Sequence, residues 1–464
     1  MAIKKKIPTP IKTIIVANIC EFYIQLFSRF HENEIESSWI EPSHAECDMA
    51  LLWTGDDKLV IVPTPPDKNF ISDLFNIFGF ENTHVVSPAN ASESICEDIE
   101  NDHEFFDFLV QVVKGSEVPQ IISWGATKQF YNLLYRLEQA GGKFTAPEIP
   151  LQDDYWIVPY LDSKCGFREI CTKLSRKISE IIIPPGLVCA NIEMVTAIVK
   201  SGYLQNGGIV VKSNQGVGGY GTLLYRREKF RGSFNFEKNL YTCMKLMPIF
   251  FETTLIVERY IESHPWSAIS SPSIQGVVHP SGDVEILTLA GQIVDQGGRY
   301  IGAIISPDLF RPLLDKKLRC IGYAVGQAAA KLGYRGVFNI DTILGNDGQV
   351  YCIEINARRT SVKYILDMVE ILFGPNAISK SIITNERFAS KILRNLTYSD
   401  VRSLLSEYLF PMRGKPVGVI ITIPSSLAHY ARIPQLGFVV IENSLFKVKG
   451  IYSTICKLLN NSSS

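Results

Sequence analysis

The sequence RGVFNIDTILGNDGQVYCIEINARRT, residues 335–360, decides the fold. Two segments rich in β-branched and aromatic residues surround Gly345-Asn346-Asp347-Gly348. Such a turn sequence between β-forming segments predicts an antiparallel hairpin, with Asn346 and Asp347 at the turn. In this register we expect Asp341 to face Cys352, with Glu354 as the diagonal neighbour of Asp341.

The two faces of this hairpin should differ in chemistry, because side chains on a strand alternate between faces. The polar face consists of Asn339, Asp341, Cys352, Glu354, Asn356 and Arg358. The apolar face, which we interpret as core, consists of Phe338, Ile340, Leu344, Tyr351, Ile353 and Ile355. The Cβ atoms of a diagonal pair lie about 7–8 Å apart. Two carboxylates at that separation could hold magnesium ions from two sides, with nucleotide phosphates as further ligands.

The alternative is a hairpin with one solvated polar face. A plain wet surface usually mixes lysine and threonine, whereas this face offers two carboxylates, an amide and an arginine. We therefore favour a metal-binding role.

A glycine-rich segment, GGIVVKSNQGVGGYGTLLY, covers residues 207–225. A β-branched strand is predicted to end at Lys212, and Gly216, Gly218, Gly219 and Gly221 follow it. Closely spaced glycines allow successive backbone N–H groups to face one anion, and a lysine adds a point charge. No GK[ST] sequence opens a helix here, so the segment is not a Walker A loop. It predicts a phosphate-binding loop; a flexible hairpin tip is the alternative.

The segment TTLIVERYIES, residues 253–263, predicts a strand that leads into a connector. Glu258 lies on the face opposite Leu255 and Val257. Taken alone, this pattern does not indicate a site, and a solvated Glu258 is the default interpretation.

Outside this middle region the chain alternates apolar strands with helical segments. Buried strands are predicted at Ile14–Ala17, Leu59–Val62, His84–Val86 and Gln120–Ser123. A helix of sequence QFYNLLYRLEQA follows the last of them and ends at Gly141-Gly142. This order predicts an open α/β layer, and the absence of GxGxxG gives no support to a dinucleotide site. Further strands are expected at Val417–Ile421 and Gly437–Ile441.

Composition sets outer limits on fold and partners. A chain of 464 residues is too long for one ordinary core, so two or three domains are expected. Hydrophobic residues make up 46% and the net charge is −1, which predicts a globular protein with neither nucleic acid nor a membrane as partner. The ten cysteines are scattered without a CxxC pair, as in a reducing compartment. Lys4, Lys5 and Lys6 precede an interrupted apolar stretch without a cleavage site, so we expect a cytoplasmic protein.

Several segments, in this order, resemble the ATP-grasp superfamily, and in particular its pheganomycin-type peptide ligase branch. They are SKCGFRE (163–169), PPGLV (184–188), VVKSNQGVGGYGT (210–222), VERYIE (257–262), SPSIQGVVHPSGDVEILTLAGQIV (271–294) and FNIDTILGNDGQVYCIEINARR (338–359). The resemblance implies an α/β and α+β fold in three parts. These are an N-terminal open α/β pre-ATP-grasp domain (1–160), an ATP-grasp domain of two α+β subdomains enclosing ATP (161–385) and a small α/β C-terminal domain (386–464).

The resemblance also implies roles for individual residues. Lys164 and Lys212 should bind nucleotide phosphates, under a loop from Gly216 to Gly221. Glu258 and the backbone near Ile261 should meet the adenine. Magnesium should be held by Asp341, Glu354 and Asn356. Lys212 and Arg358 are the expected catalytic residues, with Arg358 stabilising the reacting groups.

The implied activity is that of an ATP-dependent carboxylate–amine ligase with ATP and Mg²⁺ as cofactors. It would form an amide through an acyl phosphate from a small-molecule or peptide carboxylate and an amine. A phosphotransferase on the same fold and a nucleotide-binding protein without ligase activity are the alternatives. The family also implies a possible homodimer. Two departures affect the substrate: HPWSAISS (264–271) offers no ribose-binding acid, and Arg359-Thr360-Ser361-Val362-Lys363 replaces the glycine and histidine of peptide-ligase relatives.

Overall fold

The structure, a computed structural model, describes most of the chain. The described residues are 10–27, 33–202, 208–216, 219–226, 235–251, 254–264, 267–295, 298–374, 379–427 and 434–461. Gly218, one of the expected loop glycines, lies outside them. Among the described residues, no helix is both long enough and apolar enough to cross a membrane.

The N-terminal layer is a parallel four-stranded sheet. Its strands are β1 (Thr13–Val16), β2 (Lys58–Ile61), β3 (Thr83–Val86) and β4 (Gln120–Ser123), in the order β3-β2-β1-β4. The predicted open α/β layer is confirmed, because short apolar runs buried on both faces favour parallel strands between helices. Thr127 caps the helix after β4 by accepting a hydrogen bond from the N–H of Phe130.

Fifteen α-helices occur in the described part of the chain. They are α1 (Ile19–Phe27), α2 (Asn33–Glu46), α3 (Lys68–Phe78), α4 (Ile95–Asn101), α5 (His103–Lys114), α6 (Lys128–Gln139), α7 (Ile157–Leu161), α8 (Lys164–Ser175), α9 (Ile192–Lys200), α10 (Phe236–Lys245), α11 (Ser267–Ser270), α12 (Pro312–Lys331), α13 (Ser361–Phe373), α14 (Tyr398–Leu404) and α15 (Leu445–Asn461).

A second, antiparallel sheet of four strands contains the glycine-rich segment. Its strands are β5 (Gly186–Cys189), β6 (Gly208–Ser213), β7 (Thr222–Arg226) and β8 (Leu255–Arg259), in the order β5-β8-β6-β7. Lys212 pairs with Thr222 across β6 and β7, so the glycines lie on the connection between these two strands.

The third sheet has eight strands and contains the hairpin. Its strands are β9 (Pro272–Val278), β10 (Val284–Val294), β11 (Tyr300–Ile305), β12 (Gly336–Leu344), β13 (Val350–Asn356), β14 (Ser381–Ala389), β15 (Gly418–Ile423) and β16 (Gln435–Glu442). The order is β13-β12-β9-β10-β11-β14-β16-β15. The C-terminal strands therefore extend the sheet of the middle region, and β14 crosses the expected boundary at 385/386. The division into three domains stays a prediction.

The predicted register of the hairpin is wrong. Asp341 is directly opposite Glu354, Thr342 is opposite Cys352, and the pairing shifts between Asp341 and Thr342. Ile353 is the extra residue of this β-bulge. The first reason is the turn: the N–H of Gly345 donates to the carbonyl of Gln349 at 2.8 Å, so Asn346, Asp347 and Gly348 form a three-residue turn and offset the register by one residue. The bulge adds a second offset, and beside it the N–H of Cys352 donates outside the hairpin to the carbonyl of Ile182 at 2.7 Å. The bulge brings the two carboxylates closer together than the diagonal arrangement would.

Candidate active site

Asp341 lies in a cradle of three side-chain amides. Gln292 and Asn339 donate to its Oδ1 at 2.7 and 2.6 Å, and Asn356 donates to Oδ2 at 3.1 Å. Asn339 is itself held by a hydrogen bond from the hydroxyl of Ser273. Burial, together with the negative charge of Glu354, raises the pKa of Asp341 to about 7.

Glu354 lies opposite Asp341 but has cationic neighbours. Its Oε2 is 3.4 Å from Nζ of Lys164. Burial tends to raise the pKa of Glu354, but the charges of Lys164, Lys212 and Arg358 outweigh it and lower the pKa below the ordinary value. The two facing carboxylates therefore differ: Glu354 favours the ionised form more strongly than Asp341 does.

Lys164 begins α8 after the N-cap residue Ser163. Its backbone N–H donates to the carbonyl of Asn214 at 2.8 Å, and the N–H of Cys165 donates to Oδ1 of Asn214 at 2.9 Å. These two bonds attach the start of the helix to the glycine-rich connection. The next N–H group, that of Gly166, donates to Oγ of Ser163 at 3.0 Å, so the start of the helix is satisfied within the protein. The phosphate candidate at this junction is therefore the side chain of Lys164 rather than the helix N-terminus.

The described glycines of the connection are needed for its shape. Gly219 and Gly221 have φ values of +90° and +81°, a region that L side chains rarely adopt. A Cβ at Gly216 would overlap the carbonyl oxygen of Tyr220 and lie 3.6 Å from Nζ of Lys164. The connection is therefore close to Lys164, as a phosphate-binding loop requires.

Lys212 and Glu258 form a buried ion pair between neighbouring strands. Nζ of Lys212 lies 2.6 Å from Oε2 of Glu258, and Nη1 of Arg168 lies 2.9 Å from Oε1 of the same carboxylate. Arg168 also donates to the carbonyls of Pro184 and Gly186, at 3.0 and 2.8 Å. The carboxylate of Glu258 is thus shared by two cations. Its expected contact with adenine, and that of the buried Ile261, stay predictions.

Arg358 lies where the hairpin meets the N-terminal layer. It donates from Nη2 to Oδ1 of Asn356 at 2.9 Å and from Nη1 to the carbonyl of Arg359 at 3.2 Å. Its Nε is buried and has no hydrogen-bond partner among the described residues. Its Cζ lies 5.5–5.6 Å from the ring centroids of Phe22, Tyr23 and Trp124.

The sequence-predicted residues therefore form two groups. The first group is linked by the contacts above and consists of Lys164, Gly216, Asp341, Glu354, Asn356 and Arg358. Lys212 interacts with this group electrostatically, because its charge lowers the pKa of Glu354. Glu258 and Ile261 lie on the neighbouring sheet and the connector after it.

Three residues of the site were missed by sequence reasoning. They are Asp162, which accepts from the N–H of Ala357 at 3.0 Å; Arg168, which pairs with Glu258; and Gln292, which donates to Asp341. Each belongs to, or lies close beside, a segment that carries the family resemblance. Asp162 interacts electrostatically with Arg358: burial raises the pKa of Asp162, and the positive charge of Arg358 opposes that shift.

The donor set fits a hard cation rather than zinc. Among the described residues, no cluster of three or more His, Cys, Asp or Glu side chains has metal-binding geometry. Asp341, Glu354 and Asn356 offer two carboxylates and an amide oxygen. Mg²⁺ typically takes one or two carboxylates and completes its octahedron with water and substrate phosphates. The residues present therefore fit Mg²⁺ bound together with a nucleotide.

The lysines, glycines and facing carboxylates are positioned by an ATP-grasp fold. Residues 190–362 match the family described as ATP-grasp domain. The chain is 26% identical over 226 residues to a [butirosin acyl-carrier protein]–L-glutamate ligase from Niallia circulans, over 46% of this chain and 49% of the relative. It is 23% identical over 237 residues to an L-propargylglycine–L-glutamate ligase from Streptantibioticus cattleyicolor, over 48% and 46%. Each match spans about half of the relative's length.

A solved structure extends the similarity to the whole chain. The ADP complex of an N5-carboxyaminoimidazole ribonucleotide synthetase superposes with a TM-score of 0.56 at 14% identity, covering 97% of this chain and 98% of that one. The predicted fold class, an N-terminal α/β layer joined to an ATP-grasp fold, is confirmed.

Proposed function

We propose that this chain is an ATP-dependent carboxylate–amine ligase that forms an amide through an acyl phosphate. The observation that supports this proposal most directly is the contact of Lys164 with Glu354 at 3.4 Å. Lys164 lies beside the glycine-rich connection, and Glu354 lies opposite Asp341. Cations that bind phosphate and carboxylates that bind a hard metal then meet at one place, as transfer of a γ-phosphoryl group needs.

In the first step a substrate carboxylate oxygen attacks the γ-phosphorus of ATP, and ADP leaves. Lys164, Lys212 and the N–H groups of the glycine-rich connection would neutralise the charge that spreads over the phosphate oxygens. Mg²⁺ held by Asp341, Glu354 and Asn356 would supply further charge neutralisation when bound.

In the second step the amine attacks the acyl carbon, and phosphate leaves. The negative charge that develops on the carbonyl oxygen needs a donor nearby, and Arg358 is the candidate. Both of its hydrogen bonds go to neutral oxygens and its Nε is free of partners among the described residues, so its positive charge is available to an oxyanion. The amine reacts as the neutral base, so little general-base machinery is needed.

The curated relatives, both of which are named as L-glutamate ligases, support a proposal for the substrate class. We propose that L-glutamate is one substrate and that a second amino acid or peptide, free or carrier-bound, is the other. A peptide substrate would fit the resemblance to the pheganomycin-type branch.

We also propose that the protein is a homodimer. Light scattering at micromolar concentration tests this proposal, and a monomer would contradict it.

The test is an ADP-release screen of amino acids and short peptides, each with and without L-glutamate, followed by mass spectrometry. The expected result is ADP and phosphate release that requires both partners, with a product lighter by one water than their sum. ATP hydrolysis independent of any second substrate would contradict the proposal. So would a product that is one phosphoryl group heavier than a single substrate.

A further inference from the structure

Three aromatic side chains of the N-terminal layer surround the guanidinium of Arg358. Phe22 and Tyr23 lie on α1, which follows the first strand, and Trp124 follows the fourth. All three are buried, at 6%, 5% and 2% exposure. Cζ of Arg358 lies 5.6, 5.6 and 5.5 Å from their ring centroids.

The rings also pack against one another. Tyr23 meets Phe22 edge-on at 6.3 Å and Trp124 edge-on at 6.4 Å. Trp124 stacks on Trp53 at 6.1 Å, with 22° between the ring planes. Because each ring is fixed by its neighbours, the group forms a rigid surface rather than three independent contacts.

A backbone bond fixes the distance between this surface and Arg358. The N–H of Arg359 donates to the carbonyl of Trp124 at 2.9 Å. The next residue, Gly125, is equally close: a Cβ there would overlap the ring of Phe22 and lie 3.2 Å from Cβ of Arg358. The chain segment after the hairpin is thus held against the end of β4 without room for an added methyl group.

The three rings hold the arginine without forming an ion pair with it. Aromatic faces attract a guanidinium through their negative quadrupole and can replace part of its lost hydration. A carboxylate would hold it as firmly but would neutralise it. The adjacent Arg359 is held in this second way, by ion pairs with Glu148 at 2.6 Å and Asp367 at 2.9 Å. Arg358 instead forms no direct ion pair among the described residues, and its buried Nε has no hydrogen-bond partner there. The carboxylates of Asp162, Asp341 and Glu354 interact with its charge at longer range.

We propose that Phe22, Tyr23 and Trp124 are positioning residues that hold the guanidinium of Arg358 for the amide-forming step, which rests on the role of Arg358 in the proposed function. The N-terminal layer, which contributes none of the phosphate or metal candidates, would then set the geometry of the second half-reaction. Binding of ATP, which the proposed function assigns to Lys164, Lys212 and the glycine-rich connection, would depend little on these rings.

The kinetic test compares Phe22→Leu with Phe105→Leu, using a substrate pair found in the screen. Both replace a buried ring by an aliphatic chain in the same layer, but Phe105 packs against Phe108 and not against Arg358. Phe22→Leu should lower kcat for amide formation about tenfold and leave the KM for ATP within about twofold. Phe105→Leu should keep kcat at a temperature where both variants are folded by circular dichroism.

Two further variants separate positioning from mere packing. Trp124→Phe keeps an aromatic face and should retain most of kcat, whereas Trp124→Leu should lose it. In an Arg358→Ala background, Phe22→Leu should cause no further loss, since the ring acts through the arginine. Equal losses in both backgrounds, or an equal loss in Phe105→Leu, would overturn the proposal.

A spectroscopic arm is independent of the reaction. In arginine-labelled protein the Nε–H resonance that disappears in Arg358→Lys should show a ring-current shift, and Phe22→Leu should move it. If no substrate pair is accepted but the shift is present, the ligase proposal fails and the placement of Arg358 stands. A resonance at the position of solvated arginines, unmoved in Phe22→Leu, would refute the aromatic environment itself.

Discussion

Nζ of Lys164, at the start of α8, lies 3.4 Å from Oε2 of Glu354, at the end of the hairpin. One residue comes from the helix that is bonded to the glycine-rich connection, and the other faces Asp341. A phosphate-binding candidate and a metal-binding candidate are therefore in direct contact. A nucleotide that enters here would exchange this ion pair for contacts of Lys164 with phosphate and of Glu354 with metal.

Glu354→Gln should abolish turnover while the protein remains folded. The substitution keeps size and hydrogen bonding but removes the charge that a hard cation needs. ADP release should fall to background, and the temperature of thermal unfolding should change little. Glu285→Gln, an exposed carboxylate of β10, is the matched control and should behave as wild type. Wild-type turnover in Glu354→Gln would refute the metal assignment.

Gln292→Leu should weaken magnesium binding although Gln292 is not itself a proposed ligand. Its amide donates to Oδ1 of Asp341 at 2.7 Å, and loss of such an outer partner typically costs 10–100-fold in metal affinity or activity. The Mg²⁺ concentration for half-maximal ADP release should rise by about tenfold or more. The exposed Gln349, substituted in the same way, should leave it unchanged. An unchanged magnesium dependence in Gln292→Leu would mean that Asn339 and Asn356 alone orient Asp341.

Glu258→Ala should destabilise the fold as well as impair nucleotide binding. It leaves Lys212 and Arg168 without their shared carboxylate, and removing one partner of a buried pair typically costs about 3–5 kcal/mol. Urea unfolding measures that loss. The variant Glu169→Ala removes an exposed carboxylate from the same region and should change the free energy of unfolding much less, since solvent screens its pair with Lys173. Similar losses in both would show that the buried network contributes little.

Sequence patterns predicted the local features of this site because those features depend on neighbouring residues. Alternation placed Asn339, Asp341, Glu354 and Asn356 on the polar side of a hairpin, and the glycine spacing predicted the connection after Lys212. The predicted register failed first at the turn, which contains three residues instead of two, and again at the bulge, where Cys352 bonds to Ile182, far away in the sequence. Gln292, Asp162 and the aromatic rings around Arg358 were missed for the same reason. Their roles arise from contacts between elements that only the assembled sheets bring together.

Stability should depend on pH through Glu386. Burial raises the pKa of this carboxyl from 4.5 to about 7, against hydrogen bonds from Ser361 and Tyr300 that favour the ionised form. Because the folded state binds the proton more tightly, this group stabilises the fold below about pH 4.5. That contribution is lost as the pH rises through about 7.

Glu386→Gln removes this titration and keeps an oxygen acceptor for the hydroxyl of Tyr300, which lies 3.0 Å away. Between pH 4.5 and 7.5, the free energy of unfolding should fall less in the variant than in wild type, by up to about 3 kcal/mol. Urea titrations across this range provide the measurement. Parallel pH curves for the two proteins would mean that Glu386 titrates normally.

Arg358→Ala separates amide formation from phosphoryl transfer. A ligase and a phosphotransferase would both need the candidates for phosphate and metal binding, which are Lys164, Lys212, Asp341, Glu354 and Asn356. Only the ligase needs a donor to a carbonyl oxyanion. Loss of such a donor costs about 10²–10³ in rate, so amide formation should fall by that factor while nucleotide binding changes little. Rapid-quench measurements of ADP in the first turnover should remain near wild type, since Arg358 acts after the acyl phosphate has formed. If ADP formation and amide formation fall together, Arg358 acts on the phosphoryl group instead, and the assignment of its role to the second step is wrong.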